Sequence, residues 1–312
     1  MGWLNLFHRK RCKIVYRSEY FAGIQARDSR QSFDVMKFKK IRDELIREKL
    51  IRRKDVLSAP RISDEDLLLV HTREYLDSLR DPMKVGEILN LDYVNPWDEY
   101  IFEYFRYVTG GTLLATRYAL QHNMTVFNLG GGYHHAHPDR GEGFCLLNDV
   151  AIAIRRMQIE KKVKRTLIVD LDYHQGNGNI LFFKDDESVF TFSMHADAWV
   201  DNPPKAHNIG IELPSHTKDK KYLETLEKEL HKIYQEFSPD LVMYVAGSDP
   251  YELDSLGDFD ISEQGMLERD ILVYRAARQR KIPLVVLNSG GYGPDSWKIY
   301  YNFIKWVIIK GK

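Results

Sequence analysis

Four short segments of this 312-residue chain gather side chains that could do chemistry. Gly130-Gly131-Gly132-Tyr133-His134-His135-Ala136-His137 sets two adjacent histidines after a triple glycine. Asp170-Leu171-Asp172-Tyr173-His174 places two carboxylates and an imidazole at every second residue. Gly247-Ser248-Asp249-Pro250 and Asn288-Ser289-Gly290-Gly291-Tyr292-Gly293 each carry one reactive group on a turn of small residues. In an extended strand alternate residues share a face, so Asp170, Asp172 and His174 could all point one way. Such a convergence in a buried place is costly without a cation to balance it. Asp and His are zinc ligands, and a catalytic zinc takes three protein ligands and keeps a position for water. Asp249 is a candidate third ligand. A loop whose carboxylates cap backbone amides would account for Asp-x-Asp-x-His alone; a further Asp at the matching place favours metal.

A histidine beside a metal-bound water serves as general base or acid, because its pKa lies near working pH. Isolated loop histidines are more often structural, but a pair after three glycines at a strand end favours chemistry. The glycines let the chain turn sharply and let a ligand come close. His137, next to Pro138 and a charged loop, reads as exposed and is given no role. Tyr292 cannot act as a base at neutral pH, yet its phenol can donate to a developing oxyanion. One aromatic among 18 tyrosines could equally be packing; its place in Ser-Gly-Gly-Tyr-Gly favours function.

The elements that must position these groups are readable from about residue 124 onward. Met124–Leu129, Thr166–Leu171, Val189–Met194, Leu241–Ala246 and Pro283–Leu287 are short apolar runs suited to strands buried on both faces. Helical stretches Leu146–Gln158, Lys220–Phe237, Glu263–Arg280 and Ser296–Ile309 lie between or after them. The alternation predicts an α/β fold, a parallel sheet with helices on both faces. Ligands of such sheets bind outside the carboxyl ends of the strands, where the four polar segments fall. The first 120 residues read as more helical. Phe38, Ile41, Leu45 and Leu50 stripe a basic, solvated helix over Lys37–Lys54. Ser63 caps an acidic first turn that opens a helix through Leu79. No repeat or linker divides the chain, so residues 1–312 are expected to form a single domain.

Composition sets the outer limits. The 45 basic and 45 acidic side chains cancel, which argues against direct nucleic-acid binding. At 44% hydrophobic and 29% charged the chain is ordinary for a globular protein. Two cysteines, Cys12 and Cys145, cannot build a disulfide framework and fit a reducing compartment. No apolar run approaches the roughly 18 residues of a membrane span, and no secretory core or myristoylation signal opens the chain. The expectation is a cytoplasmic protein.

Taken together, the motifs resemble the zinc-dependent histone deacetylase family, within the arginase–deacetylase fold. The likeness runs from Phe33-Asp34 and Val70-His71-Thr72-Arg73-Glu74-Tyr75-Leu76 through Thr109-Gly110-Gly111-Thr112 to Ser289-Gly290-Gly291-Tyr292. Asp139-Arg140-Gly141-x-Gly143-Phe144-Cys145 and His174-Gln175-Gly176-Asn177-Gly178 look most like the class IV branch. The resemblance implies that Asp172, His174 and Asp249 ligate zinc, although such a set also suits iron(II). It makes His134 and His135 the tandem histidines, with His135 the base and proton donor and His134 mainly electrostatic. It also implies that Asp170 orients His134, that Tyr292 is the oxyanion donor, and that Gly143 and Phe144 wall an acyl-lysine tunnel. A buried potassium (K+) site would use Asp170, Asp172, Ser193 and the backbone at His174 and Met194.

Some positions depart from the family pattern. Many members carry Asp where Asn177 stands; Asn accepts a hydrogen bond but brings no charge, and class IV relatives share it. Gln31-Ser32-Phe33-Asp34 replaces a common His-Pro-Phe-Asp. The substrate-gripping acid falls in Asn90–Glu99, with Asp92 and Asp98 as candidates, and Ala196–Asn208 should form a further tunnel wall.

The activity implied is hydrolysis of the amide between an acyl group and a lysine ε-amine, in a protein or peptide, with class IV likeness pointing to long fatty chains. The same catalytic set serves acetylpolyamines and other small acylated amines. A binuclear ureohydrolase is disfavoured, because Pro250 and Tyr251 follow Asp249 where a second ion needs a carboxylate. An inactive reader of acyl-lysine would be expected to have lost a ligand, a tandem histidine or the tyrosine, and none is lost.

Overall fold

The computed structural model describes residues 12–20, 34–91, 99–196, 198–200, 203 and 206–311. Gln31, Ser32, Phe33, Asp92 and Asp98 therefore lie outside the described residues, as do parts of 196–208.

Eight strands form one all-parallel sheet among the described residues. They are β1 (Cys12–Val15), β2 (Val56–Leu57), β3 (Thr125–Asn128), β4 (Thr166–Asp170), β5 (Val189–His195), β6 (Asn208–Glu212), β7 (Leu241–Val245) and β8 (Leu284–Leu287). Their spatial order is β2-β1-β3-β8-β7-β4-β5-β6. Every residue of β3, β4, β5, β7 and β8 is buried, as expected of a sheet covered on both faces. Each Val, Ile or Leu among them contributes on the order of 1.5–3 kcal/mol by leaving water. The edge strand β6 is only partly buried, which leaves no continuous apolar run to read in its sequence.

The helices are α1 (Met36–Arg47), α2 (Asp64–Leu67), α3 (Arg73–Ser78), α4 (Pro82–Leu89), α5 (Glu99–His122), α6 (Asp149–Ile159), α7 (Asn177–Phe182), α8 (Asp219–Glu236), α9 (Glu263–Arg278) and α10 (Ser296–Lys310). They flank the sheet in two groups: α5 packs on α6, while α1, α10, α9 and α8 pack in series. Their starts follow local chemistry. Asn148 Oδ1 accepts from the Ala151 amide and opens α6; Ser262 Oγ accepts from the Gly265 amide and opens α9.

Two expectations for the front of the chain need correction. The basic helix drawn over Lys37–Lys54 ends at Arg47, and Lys49 turns into the left-handed region at φ 60°. The helix expected through Leu79 is two. Ser63 caps the first as predicted, but the chain breaks after Leu67, and Thr72 caps the second by accepting from the Tyr75 amide. The break seats His71 in the interior, bonded to His137 and Asn148.

Candidate active site

The chemistry-bearing segments leave β3, β8, β7 and β4, which are neighbours in the middle of the sheet. Their shared direction puts all four carboxyl ends on one edge. The turn after β3 is held by Asp149, whose buried carboxylate accepts from the amides of Gly132 at 3.0 Å and Tyr133 at 2.8 Å.

That turn delivers His134 and His135 side by side, with ring centroids 4.0 Å apart and both rings buried. Their partners differ. His134 Nδ1 lies 2.8 Å from Asp170 Oδ2, and its Nε2 faces Asp172 Oδ1 at 3.7 Å. Burial pushes His134 down, but Asp170 and Asp172 outweigh it and hold the imidazole up at about 9. His135 Nδ1 lies 2.6 Å from Asn177 Oδ1. Burial, then the charge on His134, push His135 well below the ordinary histidine value. One ring is held charged and the other neutral.

Asp172, His174 and Asp249 each offer a ligand atom, all within 4.8 Å of one another. His174 Nδ1 is 3.2 Å from Asp172 Oδ1 and 3.4 Å from Asp249 Oδ2. Backbone holds the other carboxylate oxygens: Asp172 Oδ2 accepts from the Gly290 amide and Asp249 Oδ1 from the Tyr173 amide. A Cβ on Gly290 would lie 2.3 Å from Asp249 Oδ2 and 2.6 Å from Asp172 Oδ2, so the two acids meet only because that residue is glycine. Asp249 Oδ2 is buried without a well-formed hydrogen bond. Burial and the adjacent Asp172 charge push Asp249 up to about 7. Two buried acids, one orphaned oxygen and an imidazole are a donor set that a divalent cation fits.

Tyr292 stands on the loop after β8. Its amide donates to Asp254 Oδ2 at 2.7 Å, and its ring faces Phe144 at a centroid distance of 5.9 Å. Burial, then the charges of Asp172 and Asp249, push the phenol well above its ordinary value, so it keeps its proton to donate. Phe144 hangs from the Ile88 carbonyl of α4 by its own amide. One cavity is lined in common by His134, His135, Asp172, Phe144 and Tyr292. Phe38, Leu89, Tyr104 and Phe105, all buried, line the same cavity.

Several participants escaped the reading of the sequence. His137 is buried, contrary to expectation, with Nε2 2.9 Å from Glu142 Oε1; the charged loop beyond Pro138 folds back over it instead of leaving it in water. Lys37, expected on a solvated face, is fully buried, and its Nζ donates to the Gly291 carbonyl at 2.9 Å. It sits one turn before Ile41, at the margin of the apolar stripe, which was the available signal. Trp199, within the segment expected to form a tunnel wall, stacks on His135 at 4.1 Å with its ring 11° from parallel. Ser193, by contrast, was expected at a potassium site; it lies in register with Asp170, and its hydroxyl engages His195 Nδ1 at 2.8 Å.

Among the described residues, a wholly parallel sheet carries at its carboxyl edge three side chains that could hold a metal ion, two buried histidines and a phenol, a set suited to hydrolysis. Residues 31–302 match the histone deacetylase domain, and the chain belongs to the histone deacetylase family. It is 32% identical over 306 residues to Histone deacetylase 2 of Arabidopsis thaliana, covering 96% of this chain and 79% of that protein. It is also 32% identical to an uncharacterized protein of Picosynechococcus, over 92% of this chain and 94% of the relative. The crystal structure of an HDAC homolog from Aquifex aeolicus superposes with a TM-score of 0.78 at 27% identity, covering 96% of this chain and 83% of that one. Family and fold therefore stand as the motifs implied.

Proposed function

We propose that this protein hydrolyses the amide of an N-ε-acyl-lysine, releasing the free lysine and a carboxylic acid. The observation that carries this reading is the shared cavity onto which His134, His135, Asp172, Phe144 and Tyr292 all open. Asp172, His174 and Asp249 would hold a divalent cation, zinc in the first instance, which when bound supplies a Lewis acid for the substrate carbonyl and for water. His135 is the neutral ring and takes the proton from the attacking water, then returns it to the departing amine. His134, held charged beside Asp170, contributes a positive field and moves no proton. Tyr292 donates its phenolic proton as a hydrogen bond to the oxyanion. Gly143 and Phe144 form one wall of the entry, and Trp199 is placed to form another.

The apolar lining contributed by Phe38, Leu89 and Phe105 supports an acyl chain longer than acetyl and the class IV likeness. A potassium ion between β4 and β5 is supported by the register of Asp170 with Ser193. The chain is taken as one catalytic domain, since the segments bearing the histidine pair, the candidate metal triad and Tyr292 all follow strands of one sheet. Two free, buried cysteines support a reducing, cytoplasmic setting.

The test is hydrolysis of one lysine peptide carrying acetyl, octanoyl or myristoyl by the zinc-loaded protein, with an acetylated polyamine alongside. Turnover of the long chains above acetyl is expected. Tyr292→Phe should keep its metal and lose about 10²–10³ in rate. Hydrolysis of the polyamine alone would replace the lysine substrate, and full turnover by Tyr292→Phe would remove the phenol from the mechanism.

A further inference from the structure

The two histidines are oriented by different chemistry. His134 leans on a carboxylate, which can only accept. His135 leans on Asn177, a carboxamide, which can accept at one end and donate at the other. The two ends have nearly the same shape, so the partner on the far side decides which faces the ring. That partner is Glu142: its Oε1 accepts from Asn177 Nδ2, and the same oxygen lies 2.9 Å from His137 Nε2. Asn177 Nδ2 itself lies 3.3 Å from His137 Nε2. Glu142 Oε2 is 3.6 Å from Arg140 Nε.

We propose that Glu142 is a positioning residue that sets the tautomer of His135 through Asn177. The carboxylate accepts from the amide end, so the Asn177 oxygen must face His135. The His135 ring then carries its proton on Nδ1 and leaves the Nε2 lone pair for the reaction. Were Asn177 reversed, its amide would donate to Nδ1 and the ring proton would move to Nε2, where it blocks a base. Reversal also sets the Asn177 oxygen against the Glu142 carboxylate, which no hydrogen bond can join. Asn177 and His137 are buried, whereas the Glu142 side chain is one-third exposed at 33%. The anchoring charge is thus kept near water while its effect reaches the interior. The route is long in sequence: Glu142 and Asn177 are 35 residues apart.

This role rests on His135 being the base of the proposed hydrolysis, so the test reads the ring itself as well as the rate. Histidine-labelled, zinc-loaded protein is examined by long-range proton–nitrogen NMR at neutral pH, with peptide hydrolysis measured in parallel. The native protein should show His135 protonated on Nδ1. Glu142→Ala should populate the Nε2-protonated form and lower kcat about 10–100-fold at nearly unchanged KM. Adding Asn177→Asp to Glu142→Ala should restore the Nδ1 proton and most of the rate, because Asp can only accept. Asn177→Asp alone sets two carboxylates against each other and should be slower than that double variant. Glu142→Met, of similar volume and without an acceptor, serves if the alanine variant does not fold. Retention of the Nδ1 proton in the Ala or Met variant overturns the proposal, as does failure of Asn177→Asp to rescue. If no lysine peptide is hydrolysed at all, the NMR comparison still decides.

Discussion

At the scale of single residues, the site depends as much on what is missing as on what is present. Gly143 has φ 55°, and a Cβ there would come within 2.4 Å of His135 Cδ2. The loop that carries Glu142 and Phe144 can therefore pass against the His135 ring only with no side chain at 143. Gly143→Ala should push His135 off its place and strain the backbone, costing activity about 10²-fold, the scale on which a small misplacement of reacting groups acts. Metal content should hold, since Asp172, His174 and Asp249 lie on other strand ends. Equal activity in the alanine variant would show that the loop can yield. The Tyr292 loop is placed in a comparable way, by groups outside the reacting centre: Lys37 donates to its Gly291 carbonyl and Asp254 accepts from its Tyr292 amide.

At the scale of elements, His71 ties the front helices to the site. Its Nδ1 donates to the His137 carbonyl at 3.0 Å, and its Nε2 accepts from the Asn148 amide, at the start of α6, at 3.0 Å. Burial pushes the ring down to about 4, against an ordinary value of 6.5. Between those two values the unfolded chain binds more protons than the folded one, so stability rises with pH across that window. The contribution, on the order of 3 kcal/mol, is complete above the ordinary value and is lost as pH falls towards the folded one. Urea unfolding from about pH 7 to about pH 4.5 should show this slope, and His71→Leu should be less stable at neutral pH yet flatter across the window. An unchanged slope in His71→Leu would assign the acid loss elsewhere. Which elements were readable follows from burial. The strands β3, β4, β5, β7 and β8 are covered on both faces, so their composition alone announces them, and the ends of four of them pointed to the candidate metal triad, the histidine pair and Tyr292, which the fold brings together. Strand β6 alternates and lies at an edge, β2 has only two residues, and β1 has four with Lys13 among them. None of these carries enough apolar sequence to stand out. The break between α2 and α3 is set by where His71 must go, which depends on residues near 137 and 148. Lys37 and Glu142 were hard to place for a like reason: Gly291 and Asn177, which they meet, are distant in the sequence, and a charge pattern cannot show which charge is folded inward.

At the scale of the whole molecule, an ion held by Asp172, His174 and Asp249 would be linked to the stability of the sheet, because these residues follow β4 and β7, which pair directly. A cation that binds only the folded chain stabilises it by about 2.7 kcal/mol at a hundred times its Kd. Zinc should therefore raise the melting temperature of metal-free protein in proportion to log concentration, and Asp249→Ala should abolish the rise. An equal rise in that variant would place the ion elsewhere. The strand order carries a consequence for how the protein is made. β3 and β4 follow one another in the chain but are held apart by β8 and β7, which are synthesised after them. A nascent chain that has emerged through β6 thus holds two half-sheets with facing open edges, and it is inert. The last-made strands close that gap like a keystone, so stalled translation or late truncation should yield sticky, inactive fragments, never a partly active enzyme.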